Sequence, residues 1–222
     1  MEEKKHTVHS FESDLSDLVN SLSALGDMVV SMIEFSQESL GKGSKILKEE
    51  AKIRDKKINE LYRQIDDHAI TILALRKPVA IDLRFVVAAI KISSLYEKMA
   101  DRSKNIISNC SKIDISIPTD IKKQIIKMNS EIIAMVTEIN KNLVDYNFPK
   151  LKKVFDNDDK VDEYYDNLIK QIMNSEKELC KNPATLISLV YIIKSYERIG
   201  DYAVKIIRQL YYVHAGEIKT NI

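Results

Sequence analysis

The 222-residue chain is predicted to be all-α, six long helices arranged as a tandem repeat of two three-helix bundles. Three observations lead there. Five glycines and four prolines are too few for a turn-rich β sandwich or barrel, whereas Leu, Ile, Lys, Glu and Asp are plentiful. Apolar residues recur at three-and-four spacing, the period of an amphipathic helix. One six-residue motif also occurs twice. It reads Tyr-Glu-Lys-Met-Ala-Asp at 96–101 and Tyr-Glu-Arg-Ile-Gly-Asp at 196–201, an offset of 100 residues.

Each helix has its own signals. The first begins near Ser10 and ends at Gly41-Lys-Gly43. The second runs from about Ser44 to Leu75, with Ile58, Leu61, Ile65, Ala69, Ile72 and Leu75 on one face. Pro78 suits a helix N-terminus and opens a third, over about 79–110. Ile113 to Pro118 is a linker, after which Thr119, or the region of Ser116, caps a fourth helix reaching about Tyr146. Asn147-Phe148-Pro149 breaks it, and a fifth runs to Cys180. Asn182-Pro183 starts the sixth, which ends near His214. A second correspondence supports duplication: Asp55-Lys-Lys-Ile-Asn59 resembles Asp158-Asp-Lys-Val-Asp162 at an offset of 103. The repeats are assigned to residues 1–114 and 115–222. Helices of about 30 residues span about 45 Å and pack best side by side.

Composition narrows the function. Apolar residues make up 45% and charged residues 30%, as in a well-packed soluble domain. A formal net charge of +1 gives no basic field for nucleic acid. Apolar runs such as 85–90 and 189–193 fall far short of the ~20 residues of a membrane helix. The N-terminus carries no secretion-like segment, and Cys110 and Cys180 form no CxxC, so both read as reduced thiols of a cytoplasmic protein.

Within the motif, Glu97 stands four residues before Asp101 and Glu197 four before Asp201. On a helix such pairs share a face and repel. Spacing alone says little: the chain holds six acidic i,i+4 pairs, about what 33 scattered acidic residues give by chance. Recurrence at equivalent places, small apolar neighbours and acidic partners on the preceding helix single these two out. The partners are Asp55 in one repeat and Asp158 with Asp162 in the other. Facing carboxylates are hard oxygen ligands, suited to Mg²⁺, Ca²⁺, Mn²⁺ or iron. The competing reading is salt bridging to neighbouring Lys and Arg.

Enzymatic signals are sparse. A di-iron oxidase bundle needs Glu-x-x-His on two helices, and Glu3-Lys-Lys-His6 alone matches. There is no Gly-rich phosphate loop and no HExxH. His68 reads as a surface histidine, Tyr96 and Tyr196 as packing residues, and Lys122, Lys123 and Lys127 as a solvated face.

Arg76-Lys-Pro-Val-Ala-Ile-Asp82-Leu-Arg84, the long helix after it and the two Glu-x-x-x-Asp motifs resemble the PhoU family of phosphate-uptake regulators, over nearly the whole chain. The resemblance implies two three-helix bundles with metal, often iron or zinc, at the carboxylate motifs. It places one site at Asp55, Glu97 and Asp101 and the other at Asp158, Asp162, Glu197 and Asp201. The chain departs from the family at Lys98-Met99-Ala100, where Arg-Ile-Gly is expected, and at Asn59, which replaces the carboxylate expected there by comparison with Asp162. The first site is therefore expected to bind metal more weakly. The resemblance further implies a non-enzymatic, cytoplasmic homodimer, at most peripheral to the membrane. Such a protein would contact a phosphate ABC transporter and a sensor histidine kinase and hold the phosphate-starvation response off. The alternatives are an accessory protein of an ion-driven phosphate transporter, a metal-dependent phosphatase and a purely structural bundle.

Overall fold

The computed structural model describes residues 2–40, 45–113, 117–143, 146–174 and 182–217, with side chains from Ser10 onward. Six helices follow one another: α1 (Glu2–Glu38), α2 (Lys45–Arg76), α3 (Ala80–Cys110), α4 (Thr119–Lys141), α5 (Phe148–Met173) and α6 (Pro183–Ala215). Helices α1–α3 form one bundle and α4–α6 the other, and the two share one continuous core. The most extensive interhelix packing is between α3 and α6, which lie innermost. The repeated tyrosines, Tyr96 and Tyr196, are both fully buried there.

The helix starts show how sequence sets the boundaries. Asn147 and Asn182 cap α5 and α6, their side chains accepting from the N–H of Lys150 and of Thr185. Pro183 takes the first turn of α6, where its missing N–H costs nothing. Pro78 lies two residues before α3, and no side chain caps that helix at Val79. Thr119 is inside α4, with Pro118 at the uncapped start; Ser116 lies outside the described residues.

Two boundaries differ from the sequence expectation. Helix α1 starts at Glu2 rather than near Ser10. Its first turns, Glu-Glu-Lys-Lys, carry helix-favouring residues and opposite charges at i,i+3 but no apolar period to read. Helix α4 stops at Lys141 rather than Tyr146. The Asn142 side chain turns back to donate to the Glu138 carbonyl at 2.8 Å, which ends the backbone ladder. Helix α5 is followed to Met173; residues 175–181, with Cys180, and residues 41–44, with the expected Gly41-Lys-Gly43 stop, lie outside the described part.

Between Ser10 and Glu38, α1 is long and apolar enough to cross a membrane by length and composition alone. Here that apolar side lines the protein core: Leu18, Leu22, Leu25, Val29 and Ile33 are fully buried against the other helices. Each such side chain contributes roughly 1.5–3 kcal/mol. The Asp82-Leu-Arg84 segment ties the bundle end together. Arg84 Nε donates to the Val213 carbonyl of the last turn of α6 at 2.9 Å. Gly216, at φ +77°, closes that helix in the left-handed conformation and lies against the guanidinium.

Candidate functional site

The two acidic faces sit where α2 meets α3 and where α5 meets α6. In the first repeat the packing of α2 on α3 brings Asp55 beside Glu97 and Asp101. Burial, then the charges of Asp101 and Asp55, hold the Glu97 carboxyl above its ordinary range. A cation is already built in: Lys104 Nζ lies 2.8 Å from Asp55 Oδ2 and 2.9 Å from Asp101 Oδ1, joining α2 to α3. Burial works against the charged ammonium, but its hydrogen bonds to both aspartates outweigh that and raise its pKa. Asn59 donates to Asp55 Oδ2 at 3.3 Å, and Asn105 to Asp101 Oδ2 at 3.1 Å.

In the second repeat the face is more acidic, and Lys194 of α6 lies over the Tyr165 ring of α5 at 4.7 Å. Burial pushes the Asp158 carboxyl up to about 7, helped by the charges of Asp162, Asp201, Asp159 and Glu197. Asp162 is raised by burial and then by Glu197 and Asp201. Glu197 Oε1 pairs with Lys194 at 2.7 Å and Asp201 Oδ2 with Arg198 at 2.8 Å, both along α6 itself. Among the described residues no ion pair reaches Asp158 or Asp162. Glu197 Oε2 is buried without a hydrogen-bond partner among the described residues, 3.8 Å from Arg198 Nε.

Gly200 explains how close the helices come. A Cβ there would stand 3.0 Å from Asp158 Oδ1 and 3.4 Å from Val161 Cγ1. In the first repeat Ala100 takes the same place.

The structure thus gathers Asp55, Glu97 and Asp101 on one face and Asp158, Asp162, Glu197 and Asp201 on the other. Among the described residues, no three Asp, Glu, His or Cys groups converge into a ready cage for an ion. The chemistry of the two faces nevertheless differs. The second has four carboxylates, of which Asp158 and Asp162 have no ion pair among the described residues, and its Lys194, over the Tyr165 ring of α5 at 4.7 Å, pairs with Glu197 alone, so its donor set is the better suited of the two to a hard cation. The first fits poorly, because an ammonium stands between its carboxylates.

Lys104 was missed as a site residue in the sequence. Its signal was present: it lies three residues after Asp101 and seven after Glu97, on their face of α3. His68, expected at the surface, is half-buried. Cys110 is a free, buried thiol, which burial pushes up to about 11. An apolar cavity of about 260 Å³ between α1, α3 and α6 is lined by Leu15, Phe85, Leu210 and His214, with none of the acidic-face residues in its wall.

The PhoU domain family model matches residues 22–110 and 125–210. A phosphate-specific transport system accessory protein PhoU homolog from Zymomonas mobilis is 32% identical over 216 residues, covering 96% of this chain and 90% of that protein. A relative of the same description from Clostridium acetobutylicum is 27% identical over 208 residues, with 93% and 95% covered. The crystal structure of the phosphate transport system regulatory protein PhoU from Streptococcus pneumoniae matches with a TM-score of 0.86 at 24% identity, covering 95% of this chain and 100% of that one. That of PhoU from Pseudomonas aeruginosa also gives 0.86, at 22% identity, with 93% of this chain and 100% of that one covered. At these identities the two structures speak for the fold.

Proposed function

The chain belongs to the PhoU family, and from that premise we propose that it is a non-enzymatic accessory protein of phosphate transport. It restrains phosphate uptake and the phosphate-starvation response by contact with a phosphate ABC transporter and a sensor histidine kinase. The observation that carries this reading is the family match in both repeats, together with a relative of that description aligned over 96% of the chain. The surface suits work by contact: Leu75 and Val79 at the α2–α3 turn and Ile187 and Tyr191 on α6 are large, apolar and exposed. The protein acts in the cytoplasm as a homodimer.

The carboxylates of Asp158, Asp162, Glu197 and Asp201 would hold a divalent or trivalent cation, iron or zinc by family likeness, with Mg²⁺, Mn²⁺ and Ca²⁺ also suited to oxygen ligands. Such an ion supplies positive charge between α5 and α6. Gly200 brings Asp158 against α6, and Lys194 and Arg198 pair with Glu197 and Asp201.

Deleting the gene and following a phosphate-starvation reporter in phosphate-rich medium tests the reading. The expected result is derepression, reversed by the wild-type gene. An unchanged reporter and unchanged phosphate uptake in the deletion strain would overturn it. Phosphate release by the purified protein with Mn²⁺ or Mg²⁺ would point to the phosphatase instead.

A further inference from the structure

The two acidic faces are equivalent by sequence but not by charge. At the offset of 100 residues that aligns the repeated motif, Lys104 falls opposite Val204. Lys104 Nζ reaches Asp55 and Asp101 at 2.8 and 2.9 Å and so bridges α2 and α3. Val204 is buried and offers no charge to the α5–α6 face. The carboxylate lost from the first face is replaced by Asn59, whose amide donates to Asp55 and so uses part of that ligand's capacity. Asn105 likewise occupies Asp101 Oδ2 at 3.1 Å.

We infer that Lys104 is a tethered cation that takes the place of a metal ion in the first repeat, so that the chain binds metal on its second repeat alone. The physical reason is competition at short range. An ammonium within 3 Å of two carboxylate oxygens satisfies the charge a metal would satisfy, and it is held there by a covalent stem. A divalent ion entering that face would have to displace the ammonium and strip two amide hydrogen bonds from its ligands. On the second face Lys194 pairs with Glu197 alone and lies over the Tyr165 ring of α5 at 4.7 Å, and it bridges no two carboxylates. Arg198 pairs with Asp201 along α6, and Asp158 and Asp162 have no ion-pair partner among the described residues, so two carboxylates of this face are open to a metal. The α2–α3 joint is therefore indifferent to metal supply, whereas the α5–α6 joint responds to it. A regulator built this way senses metal, or anything that removes it, with one half only.

This inference rests on the proposed metal reading of the acidic faces, and the test separates the two. Zn²⁺ and, separately, Mn²⁺ are titrated calorimetrically into chelator-treated protein, with circular dichroism as the check on folding. Five proteins are compared: wild type, Asp158→Asn/Asp201→Asn, that double variant with Lys104→Gln added, the resulting triple variant with Glu97→Gln added, and Val204→Lys. The expected result is binding in the wild type that falls at least tenfold in the double variant. Adding Lys104→Gln to the double variant restores binding, and a further Glu97→Gln abolishes it again. Val204→Lys lowers the wild-type affinity at least tenfold. Undiminished binding in the double variant that depends on Glu97 would overturn the inference, and so would failure of Lys104→Gln to restore binding. A wild type that binds no metal sinks the metal reading of the second repeat. In that event the gain or its absence on Lys104→Gln still decides the role of Lys104.

Discussion

Tyr96 and Tyr196 occupy equivalent places in the repeats, yet their hydroxyls have different fates. Tyr196 Oη lies 3.0 Å from Ser36 Oγ, which itself donates to the Ile33 carbonyl, so the tyrosine supplies the proton. Tyr96 Oη is buried with no partner among the described residues. A buried hydroxyl without a partner costs stability, and a made bond contributes about 1 kcal/mol. Tyr96→Phe is therefore expected to leave stability unchanged or raise it by up to about 1 kcal/mol, and Tyr196→Phe to lower it by about 1 kcal/mol. Urea unfolding of the two variants side by side checks the order. Asp158 makes a second prediction, for the chelator-treated protein. Its carboxyl is pushed from an ordinary 3.8 up to about 7, burial being the main cause. The folded value lies above the unfolded one, so the folded state takes up a proton. The contribution of Asp158 to stability is full below about pH 4 and is lost as the pH rises towards 7. Solvent screening at this half-exposed group limits the loss to about 1–2 kcal/mol. Asp158→Asn should flatten that slope in unfolding midpoints measured between pH 5 and pH 8. Glu97, Asp101, Glu197 and Asp201 could be singled out in the sequence because the motif repeats. Lys104 was not singled out by spacing, because its effect depends on how close α2 packs to α3 and brings Asp55 within reach.

At the scale of the helix, the α5–α6 joint turns on Gly200. An alanine Cβ would stand 3.0 Å from Asp158 Oδ1, a contact tighter than usual but made with the end of a side chain that can rotate. Alanine is favoured over glycine inside a helix by up to about 1 kcal/mol. Gly200→Ala is accordingly expected to stabilise the metal-free fold by about 0.5 kcal/mol while turning Asp158 away from α6 and weakening metal binding. Thermal melts in chelator and metal titration of the same variant read the two effects separately. A loss of stability with unchanged metal binding would show that the backbone, not Asp158, yields. Helix existence and order were legible from period and punctuation: Asn182-Pro183 starts α6 as its cap and first-turn proline direct. Boundaries set by side-chain competition were not. Asn142 ends α4 early by bonding back to Glu138, and nothing in the apolar pattern marks that. The polar start of α1 is helical without any period to announce it.

Across the whole molecule, duplication gives the fold its symmetry and the site its asymmetry. The two bundles do not stand apart: α3 and α6 pack along each other and share one core. A further join is polar. Asn140 on α4 donates to the Ser23 carbonyl and to Asp27 Oδ1 on α1, against Gly26, where no side chain could fit beside it. The tandem arrangement was visible from the repeated motif, but the dominance of the α3–α6 interface is a property of the packed chain and has no sequence signature of its own. The same packing places both acidic faces outside the α3–α6 contact, open to an ion or a partner. The central claim is that this phosphate-transport accessory protein carries a metal ion between α5 and α6. The most direct measurement is elemental analysis of untagged protein purified without chelator, beside a folded Glu197→Gln/Asp201→Asn variant. The account predicts transition metal in the wild type that is lost from the variant. Metal-free wild-type protein, or metal retained in full by the variant, would contradict it.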